Sequence, residues 1–290
     1  MSRTQKSIID IQELRNRYYS VLKGKESLIK ILNETEVSEH VYNSNAIENS
    51  TLTLEETEKI LLQIDLDRYV SDREIFEAKN LARVVTYLDT KAKEAEMSLS
   101  LINFLHKILL SNIRDDVAGR FRKENEWVRV GTHIGADPAK IEDLLTEMLT
   151  TYQSNVHDHI VKRIAKLHLT FEHIHPFVDG NGRMGRALNN YILIREGYVP
   201  INIAFVNRLQ YYSAFRKFDE NGDTKIMEEI VARALTNSYH KRLAYLEGKE
   251  VITLREYAKR NKLPHSNLIN KATRQTIEAF LEKGVWKIGV

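Results

Sequence analysis

One short segment in the second half of the chain, residues 175–186, combines residue types that suit phosphate chemistry. Pro176 is expected to end a preceding helix, because the residue before a proline avoids the α region. Gly180 and Gly182 permit a tight turn with close backbone approach, and Asn181 is predicted to cap the helix that follows. Backbone N–H groups at such a helix N-terminus favour an anion. The segment therefore predicts a phosphate-binding loop.

Charged side chains in the same segment could complete a phosphoryl- or nucleotidyl-transfer site. Arg183 and Arg186 are three positions apart, so we expect them to share a helix face and to offer planar donor groups to phosphate oxygens. Asp179 would repel a bare phosphate, but it suits a Mg²⁺ ion that bridges two phosphates. His175 could accept a proton from an attacking hydroxyl, since an ordinary imidazole has a pKa of about 6.5. Such transfer depends mainly on positioning and charge neutralisation.

Two other interpretations of this loop are less consistent with the sequence. Gly180, Gly182 and Gly185 also spell the dinucleotide fingerprint, but that fingerprint must follow a strand. Here the preceding apolar residues recur at steps of three and four, which predicts a helix. These residues are Ile160, Ile164, Leu167, Phe171 and Ile174. A purely structural role for His175 and Asp179, capping and bracing a helical hairpin, explains either residue alone but not the whole set.

The rest of the chain is predicted to be mainly helical, because 12 glycines and 4 prolines in 290 residues are too few for the turns of an all-β fold. Thr53 and Glu56 form a capping box that opens a helix through Leu62. A helix after the loop is predicted to end at Gly197. Its periodic apolar residues are Met184, Ala187, Leu188, Tyr191 and Ile192. Residues 119–138 break the helical rhythm and predict a short β-hairpin.

Composition narrows the class of protein. The chain has no cysteine, which excludes a disulfide framework, a thiolate zinc site, an iron–sulfur cluster and a cysteine nucleophile. Lys and Arg number 43 against 40 Asp and Glu. The first 17 residues lack the apolar core of a signal peptide, and the sequence has no apolar stretch of membrane-spanning length. We therefore expect a soluble, cytoplasmic protein.

The last 40 residues, 251–290, carry eight basic residues against three acidic ones, which suggests a boundary near Gly248. Two predicted helices, 254–261 and 266–274, precede two strand-forming stretches. This order resembles the small winged-helix modules of excisionase and MerR-like proteins. Basic residues that could contact DNA phosphates are Lys259, Arg260, Lys271 and Arg274. A protein-docking module with a basic surface is the alternative, and the sequence leaves both open.

Residues 175–186 resemble the Fic motif, H-P-F-x-(D/E)-G-N-G-R-x-x-R, at every specified position. Residues 44–49 are similar to the inhibitory motif of that family, and residues 128–134 are similar to its hairpin flap. Tyr211 and Tyr212, with residues 221–223, resemble its downstream helix and turn. The resemblance extends from about residue 37 to residue 240. It implies a mostly α-helical Fic bundle whose members with an intact motif transfer AMP from ATP to a protein hydroxyl.

The resemblance also implies roles for individual residues. His175 would deprotonate a Ser, Thr or Tyr hydroxyl of the target, and Asp179 would coordinate Mg²⁺ between the α- and β-phosphates of ATP. The anion hole and the grip on the β- and γ-phosphates would come from Gly180, Asn181, Gly182, Arg183 and Arg186. The flap would close the nucleotide site and receive the target segment by strand addition. Its residues would be Val130, Gly131, Thr132 and His133.

Inhibition is implied by the motif that contains Ser44, Glu48 and Asn49. In that family the glutamate meets the final arginine of the motif, which here is Arg186. We expect a bidentate pair between Glu48 and this guanidinium, which would occupy the donors before ATP arrives. The wild-type protein would then be nearly inactive.

The sequence predicts three parts: an N-terminal helical region with the inhibitory helix (1–90), a catalytic core (91–248) and the C-terminal module (251–290). The competing interpretation is a DNA-binding regulator whose core senses nucleotide without turnover. The complete motif favours the enzyme, because a sensor has no need of a base at His175. The sequence does not decide whether the protein forms a homodimer.

Other histidines are predicted to be surface or helix-packing residues, since none has the spacing of a known metal motif. They are His157, His159, His168 and His173.

Overall fold

The computed structural model describes the backbone of residues 3–130 and 133–290 and the side chains of residues 10–130 and 133–290. The described part is mostly helical and contains two small antiparallel sheets, which confirms the predicted all-α class with a small hairpin. None of its helices has the length and apolar character needed to cross a membrane.

The elements follow one another in chain order. The helices are α1 (Arg3–Leu22), α2 (Glu26–Ile47), α3 (Leu54–Leu61), α4 (Asp72–Lys91), α5 (Leu99–Leu110), α6 (Ile141–Ser154), α7 (Ile160–Ile174), α8 (Asn181–Arg195), α9 (Arg208–Asn221), α10 (Lys225–Leu246), α11 (Leu254–Arg260) and α12 (His265–Thr273). The strands are β1 (Arg129–Val130), β2 (His133–Ile134), β3 (Val251–Thr253), β4 (Ala279–Glu282) and β5 (Val285–Gly289).

Backbone contacts divide the chain into two compact units. One unit contains residues 1–36, 198–202 and 229–290, and the other contains residues 37–197 and 203–228. The candidate site lies within the second unit. The predicted division of the chain at residues 90 and 248 stays a prediction.

Helices α7 and α8 form the helical hairpin that carries the loop. All ten apolar residues that the sequence assigned to their inner faces are buried, which confirms both periodicities. The Thr53 hydroxyl accepts a hydrogen bond from the Glu56 N–H at 3.1 Å, and Glu56 accepts one from the Thr53 N–H at 2.8 Å. The predicted capping box is therefore present at the start of α3. Gly197 follows α8 with a φ of 74°.

The C-terminal segment contains the two predicted helices, α11 and α12, followed by the predicted strand pair. The sequence did not predict β3, which precedes α11 and pairs with β5 so that Ile252 lies opposite Ile288. The strand order is β3, β5, β4, and every pair is antiparallel. The segment has its own buried cluster, formed by Ile252, Leu254, Ala258, Leu268, Ala272, Ala279 and Ile288.

Candidate active site

The loop between α7 and α8 begins with a left-handed residue. His175 caps α7 with a φ of 52°, and its N–H donates to the Phe171 carbonyl at 2.9 Å. Buried Arg122 holds this turn, because its Nε donates to the His175 carbonyl at 2.8 Å and its Nη2 donates to the Ala136 carbonyl at 2.7 Å. The same guanidinium therefore fixes the loop and the residues that follow the flap. Sequence reasoning missed Arg122.

The predicted cap of α8 is wrong by one residue. Gly180 is the N-cap, with a φ of 82°, and Asn181 is the first helical residue. The buried Asn181 amide accepts a hydrogen bond from the Phe177 N–H at 2.9 Å and donates to the Phe177 carbonyl at 2.8 Å. A Cβ at position 180 would lie 2.8 Å from Leu110 Cδ2, so the turn requires glycine there. Asn181 braces the loop across four residues instead of capping the helix.

The His175 imidazole is arranged as a neutral proton acceptor. Its Nδ1 lies 3.3 Å from the Glu172 carbonyl, which can only accept, so Nδ1 carries the hydrogen and Nε2 carries the lone pair. Burial of the ring is the main reason that its pKa falls to about 4; the Glu172 carbonyl opposes the shift and Arg122 adds to it. The ring is therefore uncharged at neutral pH.

Asp179 lies between two guanidinium groups. Arg73 Nη2 donates to Asp179 Oδ2 at 2.7 Å, and Arg183 Nη2 donates to Oδ1 at 3.2 Å. Burial alone would raise the pKa of Asp179, but Arg183 and Arg73 outweigh it and lower the pKa. The ionised carboxylate is a donor suited to Mg²⁺, which proteins hold through one or two carboxylates together with substrate phosphates. This donor set fits the ion if Arg73 releases the carboxylate.

His106 supports the main chain at Asp179, and sequence reasoning also missed it. Its ring stacks on Phe177 at a centroid distance of 3.6 Å. Nδ1 accepts the Gly119 N–H at 3.0 Å, so Nε2 donates to the Asp179 carbonyl at 3.0 Å. Burial lowers the pKa of His106 to about 4, which keeps this pattern at neutral pH.

Arg186 extends from α8 to the end of α2, where each of its three side-chain nitrogens donates a hydrogen bond. Its Nη2 donates to Glu48 Oε1 at 2.8 Å and to the Ser44 carbonyl at 2.8 Å. Nε donates to Ser44 Oγ at 2.9 Å, and Nη1 donates to the Tyr211 hydroxyl at 3.1 Å. Glu48 thus meets Arg186, as the resemblance implies. The expected bidentate pair is wrong, because only Nη2 reaches Glu48, whereas Nε donates to Ser44 and Nη1 donates to Tyr211.

The Glu48 carboxylate also lies against the first turn of α8. A Cβ on Gly182 would stand 2.1 Å from Glu48 Oε1, so glycine at 182 is what lets the carboxylate approach the helix. An anion at a helix N-terminus is favoured by the unpaired N–H groups and by the helix dipole. Glu48 therefore occupies the position that the loop prepares for an anion.

The end of α2 is fixed by α9. The Tyr212 hydroxyl donates to the Ile47 carbonyl at 2.8 Å, and Arg208 Nη2 donates to the Asn49 side-chain oxygen at 2.7 Å. Asn49 itself has a φ of 70°, which this residue type tolerates well. These contacts hold the turn that presents Glu48.

A second carboxyl group, Glu172, is buried beside this site. Burial, and then the charge of Glu48, raise the pKa of Glu172 to about 8. The group is therefore protonated at neutral pH and does not compete with Glu48 for Arg186.

Tyr211 links a buried histidine to Arg186. The buried His168 ring accepts the Asn189 amide at Nδ1 (3.1 Å) and so donates from Nε2 to the Tyr211 hydroxyl at 2.8 Å. The hydroxyl oxygen thereby orients Arg186. His168 is a packing histidine, as predicted, and burial lowers its pKa to about 3.

The flap is a hairpin, as predicted, with two residues in each described strand. Val130 lies opposite His133, and the intervening Gly131 and Thr132 lie outside the described residues. The Val130 side chain is exposed, whereas His133 Nε2 lies 2.8 Å from the His173 carbonyl.

Two of the histidines predicted to be surface or helix-packing residues lie outside the flap. His157 is exposed, and His159 caps α7 by accepting the Val161 N–H at 3.3 Å.

Residues 96–193, which include this loop, match the Fic/DOC family. The chain therefore carries a Fic domain in this region. It is 30% identical over 235 residues to protein adenylyltransferase Fic of Drosophila grimshawi, across 79% of this chain and 47% of that protein. It is also 30% identical over 249 residues to the protein of the same name from Drosophila mojavensis, across 80% of this chain and 48% of that protein. The chain spans about half the length of the curated relatives it matches.

Solved structures share the fold. A Fic domain containing signaling protein from Bacteroides thetaiotaomicron superposes with a TM-score of 0.73 at 24% identity, over 83% of this chain and 97% of that one. A variant of Fic-1 from C. elegans gives a TM-score of 0.70 at 26% identity, over 84% of this chain and 72% of that one.

Proposed function

We propose that this protein transfers AMP from ATP to a Ser, Thr or Tyr hydroxyl of a target protein and releases pyrophosphate. The observation that carries the proposal is that one rigid loop fixes both a neutral base, His175, and an anion-favouring helix N-terminus at Gly180. Relatives named protein adenylyltransferase support the same activity.

In the proposed reaction, His175 Nε2 takes the proton of the target hydroxyl. The hydroxyl oxygen forms a bond to the α-phosphorus, and the bond from that phosphorus to the oxygen bridging to the β-phosphate breaks. Pyrophosphate leaves with the electron pair of the broken bond. Mg²⁺ held by Asp179 would neutralise charge on the phosphates when bound.

The remaining loop residues bind the nucleotide in this proposal. Backbone N–H groups of Gly180, Asn181 and Gly182 face the phosphates, and Arg183 and Arg186 grip the β- and γ-phosphates. Arg186 can do so only after it leaves Glu48, because its donors are engaged by that residue, Ser44 and Tyr211.

Glu48 inhibits the enzyme in its present position. Its carboxylate lies 2.8 Å from Arg186 Nη2 and against Gly182, where a terminal phosphate would bind. ATP that enters beside Glu48 would be displaced, and a misplacement of about 1 Å can cost roughly 10²-fold in rate. Ser44 and Asn49 hold the inhibitory turn.

The flap receives the target. Val130 and His133, with Gly131 and Thr132 between them, would close the nucleotide site and pair with an extended target segment through main-chain hydrogen bonds. The short β1 strand supports this role, because it is exposed and forms one edge of its two-stranded sheet, where a further strand can be added.

The activity is tested with the Glu48→Gly variant, which the proposal frees from inhibition, by incubating it with ATP labelled on the α-phosphate and identifying AMP on protein side chains by mass spectrometry. ATP labelled on the γ-phosphate serves as the control, since AMP transfer leaves that label on pyrophosphate. Label from the γ-phosphate alone would instead indicate a kinase and would contradict the proposal.

We also propose that residues 251–290, which belong to the compact unit that contains residues 1–36 and 229–290, bind DNA as a winged-helix-like module. The segment has its own buried cluster, and its basic residues Lys259, Lys271 and Arg274 are exposed. Arg260 is already paired with Glu250 at 2.9 Å. Its charge is therefore less available to DNA phosphates than the sequence predicted.

A further inference from the structure

Three potential metal ligands converge beside the flap from elements that are distant in sequence. His133 lies on β2, His173 in the last turn of α7 and Asp219 near the end of α9. One ligand atom from each lies within 4.8 Å of the others. The His173 side chain is 47% exposed and Asp219 is 30% exposed, so an ion from solvent can reach them.

The hydrogen bonds of His133 leave its lone pair facing the carboxylate. Its Nε2 lies 2.8 Å from the His173 carbonyl, which only accepts, so Nε2 carries the hydrogen in the neutral ring. Nδ1 then carries the lone pair, and it lies 4.0 Å from Asp219 Oδ2. Metal-binding histidines usually donate their second N–H to a carbonyl or carboxylate in this way, which orients the ligand nitrogen.

His173 completes the set. Its Nδ1 lies 2.8 Å from Asp219 Oδ1, and the two imidazole rings lie 4.2 Å apart, centroid to centroid. An ion that replaces the shared proton between His173 and Asp219 would have two nitrogen ligands and one carboxylate. The three ligand atoms already lie within 4.8 Å of one another, and an ion with ligand distances of about 2.0–2.2 Å would draw them closer together.

We propose that His133, His173 and Asp219 form a binding site for a divalent transition metal of the Zn²⁺ type, with water in the fourth position. Two imidazoles and a carboxylate suit Zn²⁺, whereas Mg²⁺ prefers oxygen ligands alone. The site is separate from Asp179, which faces Arg73 and Arg183, and it does not depend on the proposed function.

Binding at this position ties three elements together. The ion joins the flap strand β2 to α9 and to the last turn of α7, two residues before His175. The bound metal therefore restricts the movement of the flap relative to the loop. Spacing within the sequence gave no sign of this site, because His173 is 40 residues from His133 and 46 from Asp219.

The test uses the full chain after treatment with a chelator and measures Zn²⁺ affinity by competition with a zinc-binding dye. The wild type should bind one Zn²⁺, and His133→Ala, His173→Ala and Asp219→Asn should each weaken binding by at least about tenfold. His157→Ala is the matched control, since that histidine is exposed and lies outside the cluster. Its affinity should equal that of the wild type.

Co²⁺ provides a second readout that does not depend on affinity. The wild type should give the intense visible absorption of four-coordinate Co²⁺, and the three cluster variants should lose it. Equal Zn²⁺ affinity in all four variants, or a weak spectrum typical of six-coordinate Co²⁺ in the wild type, would overturn the proposal.

Discussion

The carboxylate of Glu48 accepts a hydrogen bond from Arg186 at 2.8 Å while it lies against the first turn of the helix that Gly180 caps. The arginine is buried, whereas the glutamate side chain is 37% exposed. An incoming phosphate would therefore compete with a partner that can move into solvent. We therefore expect the activity of the site to depend on Glu48.

In the Glu48→Gly background, His175→Ala should abolish AMP transfer and leave Mg²⁺-ATP binding largely intact. The imidazole acts on the target hydroxyl, whereas other residues build the phosphate site. Loss of a general base typically costs about 10²–10⁴-fold in rate. Labelling assays report the transfer, and calorimetry reports nucleotide binding. Undiminished labelling by the variant would contradict the assignment of the base.

The His175 imidazole should stay neutral well below the pH at which an ordinary histidine becomes charged. Burial lowers its pKa from 6.5 to about 4, so the ring gains its proton only as the pH falls toward that value. NMR titration of the ligand-free protein can follow the ring, with His175→Ala identifying the signal. An inflection near the ordinary value of 6.5 would show that the ring is not desolvated.

Glu172→Gln should make stability less sensitive to pH. The pKa of Glu172 is raised from 4.5 to about 8 in the folded protein, so the folded state holds this proton more tightly than the unfolded state. Wild-type stability should therefore fall as the pH rises between these two values. Thermal unfolding across this range should show a smaller decrease in Tm for the variant. Parallel decreases in both proteins would exclude Glu172 as the cause.

The full chain should bind duplex DNA weakly and with a steep dependence on salt, because its C-terminal segment offers exposed basic residues. A Lys271→Glu/Arg274→Glu variant should bind more weakly, and its salt slope should be smaller by roughly one per lost phosphate contact. Lys93→Glu/Lys123→Glu makes the same charge change at exposed positions elsewhere. Absence of binding even at low salt would favour the protein-docking alternative.

Local turn chemistry made the loop predictable, because its Pro and Gly residues dictate backbone conformation within a few positions. The error at Asn181 arose because both glycine and asparagine are common N-cap residues, and the sequence does not show that the Asn181 side chain bonds to Phe177. Contacts across the fold could not be predicted. Arg73 reaches Asp179 from 106 residues away, and Arg122 reaches His175 from 53. No local pattern specifies such pairs.

The central claim is that Glu48 blocks a competent AMP-transfer site, and auto-modification by wild type and Glu48→Gly under identical conditions tests it most directly. Glu124→Gly is the matched control, because it removes an exposed glutamate from a turn elsewhere. We expect Glu48→Gly to label itself about 10²-fold more strongly than the wild type. The gain should disappear in Glu48→Gly/His175→Ala. Equal labelling of the wild type and Glu48→Gly would contradict the account.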